Sequence, residues 1–205
     1  MLQVSEAMVS LLDIVPTALD WLNIPYPKYS IFDKNNVKLT GKSLLPILQS
    51  EPSKGWDTVY ASHNLHEVTM YYPMRVLRNK RYKLIHNMNH KMPFPIDQDF
   101  FISASFQDLL NRTVKKEPLY WYKTLQEYYY RDQWELYDII KDPKETTNLA
   151  PRDEYGNIFQ SLKQQLHVWQ NETFDPWICG PGAVLEDGGY YKDNPQCMPM
   201  HNGVN

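Results

Sequence analysis

The stretch from Trp134 to Ala150, Trp-Glu-Leu-Tyr-Asp-Ile-Ile-Lys-Asp-Pro-Lys-Glu-Thr-Thr-Asn-Leu-Ala, constrains the fold more than any other. Trp134 and Leu136 alternate with Glu135 and Tyr137, the period of a half-buried strand. Asp142-Pro143 then turns the chain, because Asp bonds the backbone beyond it and Pro presets φ. A long helix follows. Tyr155, Phe159, Leu162, Leu166 and Trp169 step by four and three residues and so share one apolar face. Such a face needs a sheet to cover.

Three further strands supply it, at Thr58–Ser62, Met74–Arg78 and Tyr82–Asn87, with Asn79-Lys80 as a hairpin turn between the last two. The expected architecture is α+β: an antiparallel sheet of about four strands, helices on one side, packed by the long C-terminal helix. With 42% hydrophobic residues the chain carries a real core and is not disordered. No apolar run approaches the roughly 18–20 residues that span a bilayer. The net charge of −3 gives no sign of a nucleic-acid partner.

Upstream, a helix is expected over Ser10–Leu22 with Val15, Leu19 and Leu22 buried. Ser10 and Asp13 have capping-box spacing; alternatively Asp13 is the N-cap and Pro16 falls in the first turn. Gly41-Lys-Ser opens a shorter apolar segment, but no upstream Gly stands at the spacing of a phosphate loop. Ser105 is the expected cap of a helix through Phe106, Leu109 and Leu110. From Glu117 to Arg131 aromatics are dense, a belt that can stack on sugar rings, although core or subunit interface is the commoner use. The tail from Phe174 onward reads as irregular.

Candidate chemistry is sparse. His63-Asn-Leu-His-Glu67 is a polar cluster on an expected connection between strands, where sites tend to lie. His66 and Glu67, with Arg75 nearby, are the candidate substrate-binding residues; Glu67 pairing with Arg75 or Arg78 is the structural alternative. From Val68 to Ile96 there is no acid, while Arg75, Arg78, Lys80, Arg81, Lys83 and Lys91 are basic. The run attracts an anionic ligand, or is a strand face paired with acids elsewhere. His86 and His90 have the spacing of a metal pair, but nothing between them acts as a base, so no metal site is assigned. No Gly-x-Ser-x-Gly elbow is present.

Cys179 and Cys197 are the only cysteines, across a Pro- and Gly-rich loop; a bridge would contribute on the order of 3 kcal/mol, and two free thiols are the alternative. Asn111-Arg-Thr and Asn171-Glu-Thr are glycosylation sequons. Both features fit an oxidising secretory route. The start, Met-Leu-Gln-Val-Ser, lacks the basic flank and apolar run of a signal peptide, so the true N-terminus is expected to be missing.

Four segments in order resemble the sulfatase family: Val9-Ser-Leu-Leu-Asp-Ile-Val-Pro-Thr-Ala-Leu-Asp-Trp-Leu-Asn-Ile24, Gly41-Lys-Ser-Leu-Leu-Pro-Ile-Leu48, Arg81-Tyr-Lys-Leu-Ile85 and Trp134-Glu-Leu-Tyr-Asp138 with its Asp-Pro and Asn-Leu continuation. His66-Glu-Val-Thr-Met70, Lys91-Met-Pro-Phe-Pro-Ile-Asp-Gln-Asp-Phe100 and Phe106-Gln-Asp-Leu-Leu-Asn-Arg-Thr113 are similar to members acting on heparan sulfate. The resemblance extends through Asp175-Pro-Trp-Ile-Cys179 and Pro195-Gln-Cys197. It implies the C-terminal portion of an alkaline-phosphatase-like α/β enzyme, with residues 1–50 ending the catalytic domain and 51–205 forming a C-terminal subdomain. The implied activity is removal of N-linked sulfate from glucosamine of heparan sulfate oligosaccharides, by a lysosomal homodimer using calcium and a formylglycine made from Cys.

The departures are equally clear. Sulfatases place that Cys in Cys-x-Pro-Ser-Arg, whereas Cys179-Gly-Pro-Gly-Ala and Cys197-Met-Pro-Met-His lack the Ser and Arg. No Asp-Asp pair exists, and Asp193-Asn194 sits in the tail. Nucleophile and calcium ligands are therefore expected upstream, and the isolated chain is expected to be inactive. A non-catalytic module binding sulfated glycan or protein through the basic run and aromatic belt is the alternative.

Overall fold

The computed structural model describes residues 4–26, 29, 39–50, 54–66 and 70–200. The chain forms two compact units, residues 1–60 with 78–80, and residues 61–77 with 81–205.

In the first unit both expected roles of the N-terminal cap appear in sequence. Ser10 caps the 3-10 turn Leu11–Asp13 in a full capping box, its backbone N–H donating to Asp13 Oδ2 at 2.7 Å. Helix α1 (Ile14–Trp21) continues from Asp13, whose side chain makes no cap bond of its own. Its second oxygen instead accepts from Lys42 N at 2.8 Å, and Leu44 N donates to Thr17 Oγ1 at 2.9 Å. These bonds bring residues 41–44 against the helix start. Gly41 is required by that approach: a Cβ there would stand 2.0 Å from the Leu12 carbonyl oxygen. Helix α2 (Leu45–Gln49) follows, with Pro46 in its first turn, where a missing N–H costs little. The expected buried stripe is not observed. Val15 is 54% and Leu22 65% exposed, so no described residue of this unit covers that face.

The second unit is built on a four-stranded sheet in the order β1 (Thr58–Leu65), β2 (Tyr71–Asn79), β3 (Tyr82–Asn87), β4 (Trp134–Asp138). The strand ends near residues 58–60 and 78–79 are counted with the first unit. Strands β3 and β4 are antiparallel, with Leu84 opposite Leu136. The β2–β3 turn is Lys80-Arg81, one residue later than expected, because β2 runs on to Asn79.

Both faces of the sheet are covered, not one. Between β3 and β4 come α3 (Gln98–Ile102), α4 (Ala104–Lys115) and α5 (Leu125–Tyr129). Here Phe94 stands edge-on to Tyr72 of β2 at 5.0 Å and to Tyr128 at 5.8 Å. That second layer is why Glu135 and Tyr137, read as the solvent side of β4, are buried. Glu135 is compensated: it accepts from Asn87 Nδ2 at 2.7 Å and from the Tyr137 hydroxyl at 2.5 Å. Helix α4 is capped by Ser103, whose Oγ accepts from Phe106 N, and not by Ser105.

Helix α6 (Gly156–Glu172) buries Leu162 and Leu166, while Phe159 stands edge-on to Trp134 at 5.6 Å. The Asp-Pro turn before it is structural. Asp142 Oδ2 accepts from Thr146 N and Thr147 N, and Asn148 Oδ1 accepts from Leu136 N at 2.9 Å, extending the β4 ladder with a side chain. The tail is more ordered than expected: β5 (Ala183–Glu186) and β6 (Gln196–Pro199) pair antiparallel, and Cys179 is bridged to Cys197 with Cα atoms 5.5 Å apart.

Candidate functional site

Strand β1 extends to Leu65, so His63 belongs to the strand and not to a connection; its Nδ1 donates to the Tyr72 carbonyl at 3.1 Å. His66 opens the β1–β2 loop, is exposed, and donates its backbone N–H to Met70 O at 3.4 Å. Glu67 lies outside the described residues.

Arg75 lies on β2 and is only 2% exposed. Its Nε and Nη2 donate to the two carboxylate oxygens of Asp175 at 2.6 and 2.7 Å, a bidentate pair. Nη1 donates to the carbonyl oxygens of His63 and Met74 and to Asn64 Oδ1. Gln170 Nε2 and Trp177 N complete the acceptor side of Asp175. Burial alone would raise the Asp175 carboxyl, but the Arg75 and Gln170 hydrogen bonds outweigh it and hold the group below the usual carboxylate range. The arrangement is a clasp between β1, β2 and the end of α6. Asp175 and Gln170 were not singled out as site residues in the sequence; the available signal was a second Asp-Pro, three residues past the end of the amphipathic helix.

The basic run is largely neutralised. Lys80 pairs with Glu6, Arg81 with Asp138 and Lys83 with Glu145, so the paired strand face describes it better than an open cationic surface. Burial would raise Asp138, yet bonds from Arg81 and from the Lys141 and Ile140 amides hold it low. His86 is buried on β3, stacked on Trp134 at 3.8 Å, and its Nε2 has no hydrogen-bond partner among the described residues. Burial, then Lys163, His90 and Arg75, lower its pKa to about 4. Asn111 on α4 and Asn171 on α6 are exposed.

The residues present do not fit the calcium or the formylglycine that the resemblance implies. Both cysteines are consumed by their mutual disulfide, and among the described residues no three His, Cys, Asp or Glu side chains gather to hold a metal ion. No helix among them is long and apolar enough to cross a membrane.

Residues 112–172 match the family model described as N-sulphoglucosamine sulphohydrolase, C-terminal. Human N-sulphoglucosamine sulphohydrolase is 56% identical over 200 residues, 98% of this chain and 39% of that protein. An ulvan-active sulfatase of Formosa agariphila is 25% identical over 176 residues, 83% of this chain and 30% of that one. The chain thus spans well under half the length of the curated relatives it matches. Among solved structures, a 2-O glycosaminoglycan sulfatase superposes with a TM-score of 0.51 at 22% identity, covering 93% of this chain and 30% of that chain, a likeness of fold. A four-stranded antiparallel sheet flanked by helices, in a chain this similar, leads to one assignment: the protein belongs to the sulfatase family, in the region that the N-sulphoglucosamine sulphohydrolase model describes as C-terminal.

Proposed function

We propose that this chain is the C-terminal portion of a sulfohydrolase that removes N-linked sulfate from glucosamine residues of heparan sulfate. Residues 1–50 end the catalytic domain in this reading, and residues 51–205 form the C-terminal subdomain. The observation that carries it is 56% identity to the human enzyme across 98% of the chain. In this reading the nucleophile and the calcium ligands belong to the longer protein; among the described residues no three His, Cys, Asp or Glu gather to hold a metal, and both cysteines are bridged.

The chain's own contribution is positional. His66, the last described residue after β1, is the residue proposed to bind a sugar hydroxyl or the departing amine, with Glu67 as its proposed partner in that role. Arg75 acts indirectly: held by Asp175, it fixes His63 and Asn64 at the end of β1, three and two residues before His66. The disulfide and the sequons at Asn111 and Asn171 support a glycosylated protein of the secretory route; lysosomal delivery and a homodimeric state are proposed from the family resemblance alone.

The test is turnover of N-sulfoglucosamine. The purified chain should release no sulfate, whereas the same chain joined in frame to an upstream sulfatase portion bearing Cys-x-Pro-Ser-Arg should release it. In that longer protein His66→Ala is expected to raise KM about tenfold, the effect of losing one hydrogen bond to substrate. Turnover by the 205-residue chain alone, or none by the joined protein, would refute the proposal.

A further inference from the structure

A slot of about 290 Å³ lies between α4 and the returning chain at Tyr120–Trp121, away from the β1–β2 loop in sequence and built entirely within the second unit. Its construction follows from the end of α4. Lys116 takes the left-handed conformation, φ 57°, and Glu117 N donates to Arg112 O at 2.9 Å, so the chain reverses and lays Tyr120 over Arg112. The Arg112 guanidinium is 4.7 Å from the Tyr120 ring and is itself fixed by Asp108 at 2.8 Å. Tyr120 is 88% exposed, with the Arg112 guanidinium against its ring. Phe106 forms the floor, and Trp121 packs on Tyr128 at 5.6 Å to form a wall.

We propose that this slot binds one pyranose ring of a sulfated glycan, as a site separate from the β1–β2 loop. A pyranose is amphipathic: its C–H face fits an aromatic floor and wall, and its hydroxyls need acceptors and donors at the rim. Asp108, Arg112 and Ser105 are polar residues among those lining the slot. The neighbouring cations select an anionic sugar. Lys115 and Lys116 are exposed and make no ion pair among the described residues, in contrast to Arg81 and Lys83 on the sheet. A second copy of the chain is a poorer occupant. A two-fold contact centred on Tyr120 would bring each copy's Lys115 and Lys116 against the other's. Phe106, buried, and Trp121, packed on Tyr128, are already placed and lose little entropy on binding, which favours a small rigid ligand.

The proposal takes from the proposed function only its ligand class. The test is calorimetric titration of the 205-residue chain with an N-sulfated heparin tetrasaccharide and with an unsulfated, N-acetylated tetrasaccharide of the same backbone. Tyr120→Ala should weaken both about three- to tenfold, the scale of one aromatic contact. The double variant Lys115→Ala with Lys116→Ala should weaken the sulfated sugar alone and flatten its salt dependence. Tyr190→Ala, at an exposed tyrosine in the tail, should change neither. Absence of binding by the unaltered chain overturns the proposal, as does binding insensitive to Tyr120→Ala. So does a Tyr120-dependent self-association with unchanged sugar affinity, which would make the slot a seat for a second copy. Failure of the enzymatic reading looks different: the joined protein would not release sulfate, while Tyr120→Ala would still weaken the glycan.

Discussion

His86 and Asp175 are both buried, and acid acts on them in different windows. His86 has its pKa lowered to about 4, first by burial and then by Lys163 from α6, by His90, and by Arg75 from β2. Protonation therefore favours the unfolded chain, and the associated stability, complete above about pH 6.5, is lost as pH falls toward 4. Asp175 has a depressed pKa, so its contribution is complete above about pH 4 and is lost only below that. Between pH 7.5 and 5.0 the His86 penalty therefore operates while the Arg75–Asp175 clasp stays intact. Linkage puts the His86 cost at pH 5.0 at about 2 kcal/mol. Urea unfolding of the chain at the two pH values should show that loss. His86→Phe, which keeps an aromatic ring on Trp134 and removes an unpartnered nitrogen, should abolish most of it. A pH slope unchanged in the variant would show that His86 is not its source.

At the scale of elements, the tail depends on its bridge. Strands β5 and β6 have four residues each, expose all of β6, and lie beyond the buried clasp. Their order rests on the Cys179–Cys197 link, which closes a span of 18 residues and is worth about 3 kcal/mol. Replacing both cysteines by serine should make residues 183–199 the first point of chymotryptic cleavage, at Tyr190 or Tyr191, with the sheet left intact. Equal protease resistance with and without the bridge would assign the order to β-pairing. The elements most legible in the sequence were those whose signals were local: the capping box at Ser10, the Asp142 turn and the α6 stripe through Leu162 and Leu166. Burial of Glu135 was not legible, because its partners Asn87 and Tyr137 act only once a second layer closes over the sheet. The same holds for the candidate site. His66 stood out as a polar residue near a strand end, but Arg75 finds Asp175 a hundred residues away, and no periodicity links them.

Across the whole molecule, stability is unevenly distributed between the two units. Among the described residues, Ile47 is the one buried apolar side chain of the first unit, whereas Leu77, Leu84, Leu136, Leu162 and Leu166 all belong to the second. The first unit is held mainly by hydrogen bonds, donated from Lys42 N to Asp13, from Leu44 N to Thr17 and from Ser43 to Asp20. Each is worth only about 1 kcal/mol net, and the apolar face of α1 gains nothing from exposure to water. Cooperative units open according to their buried contacts, so α1 should open without the sheet. Hydrogen exchange followed by mass spectrometry should find α1 amides exchanging at least about a hundredfold faster than those of β3 and β4. Joining the chain to the upstream portion of the proposed enzyme should slow α1 selectively, because the face bearing Val15 and Leu22 would then have a partner. If α1 in the 205-residue chain is already as protected as β3, the first unit opens only with the whole molecule, and its exposed apolar face carries no unmet demand for one.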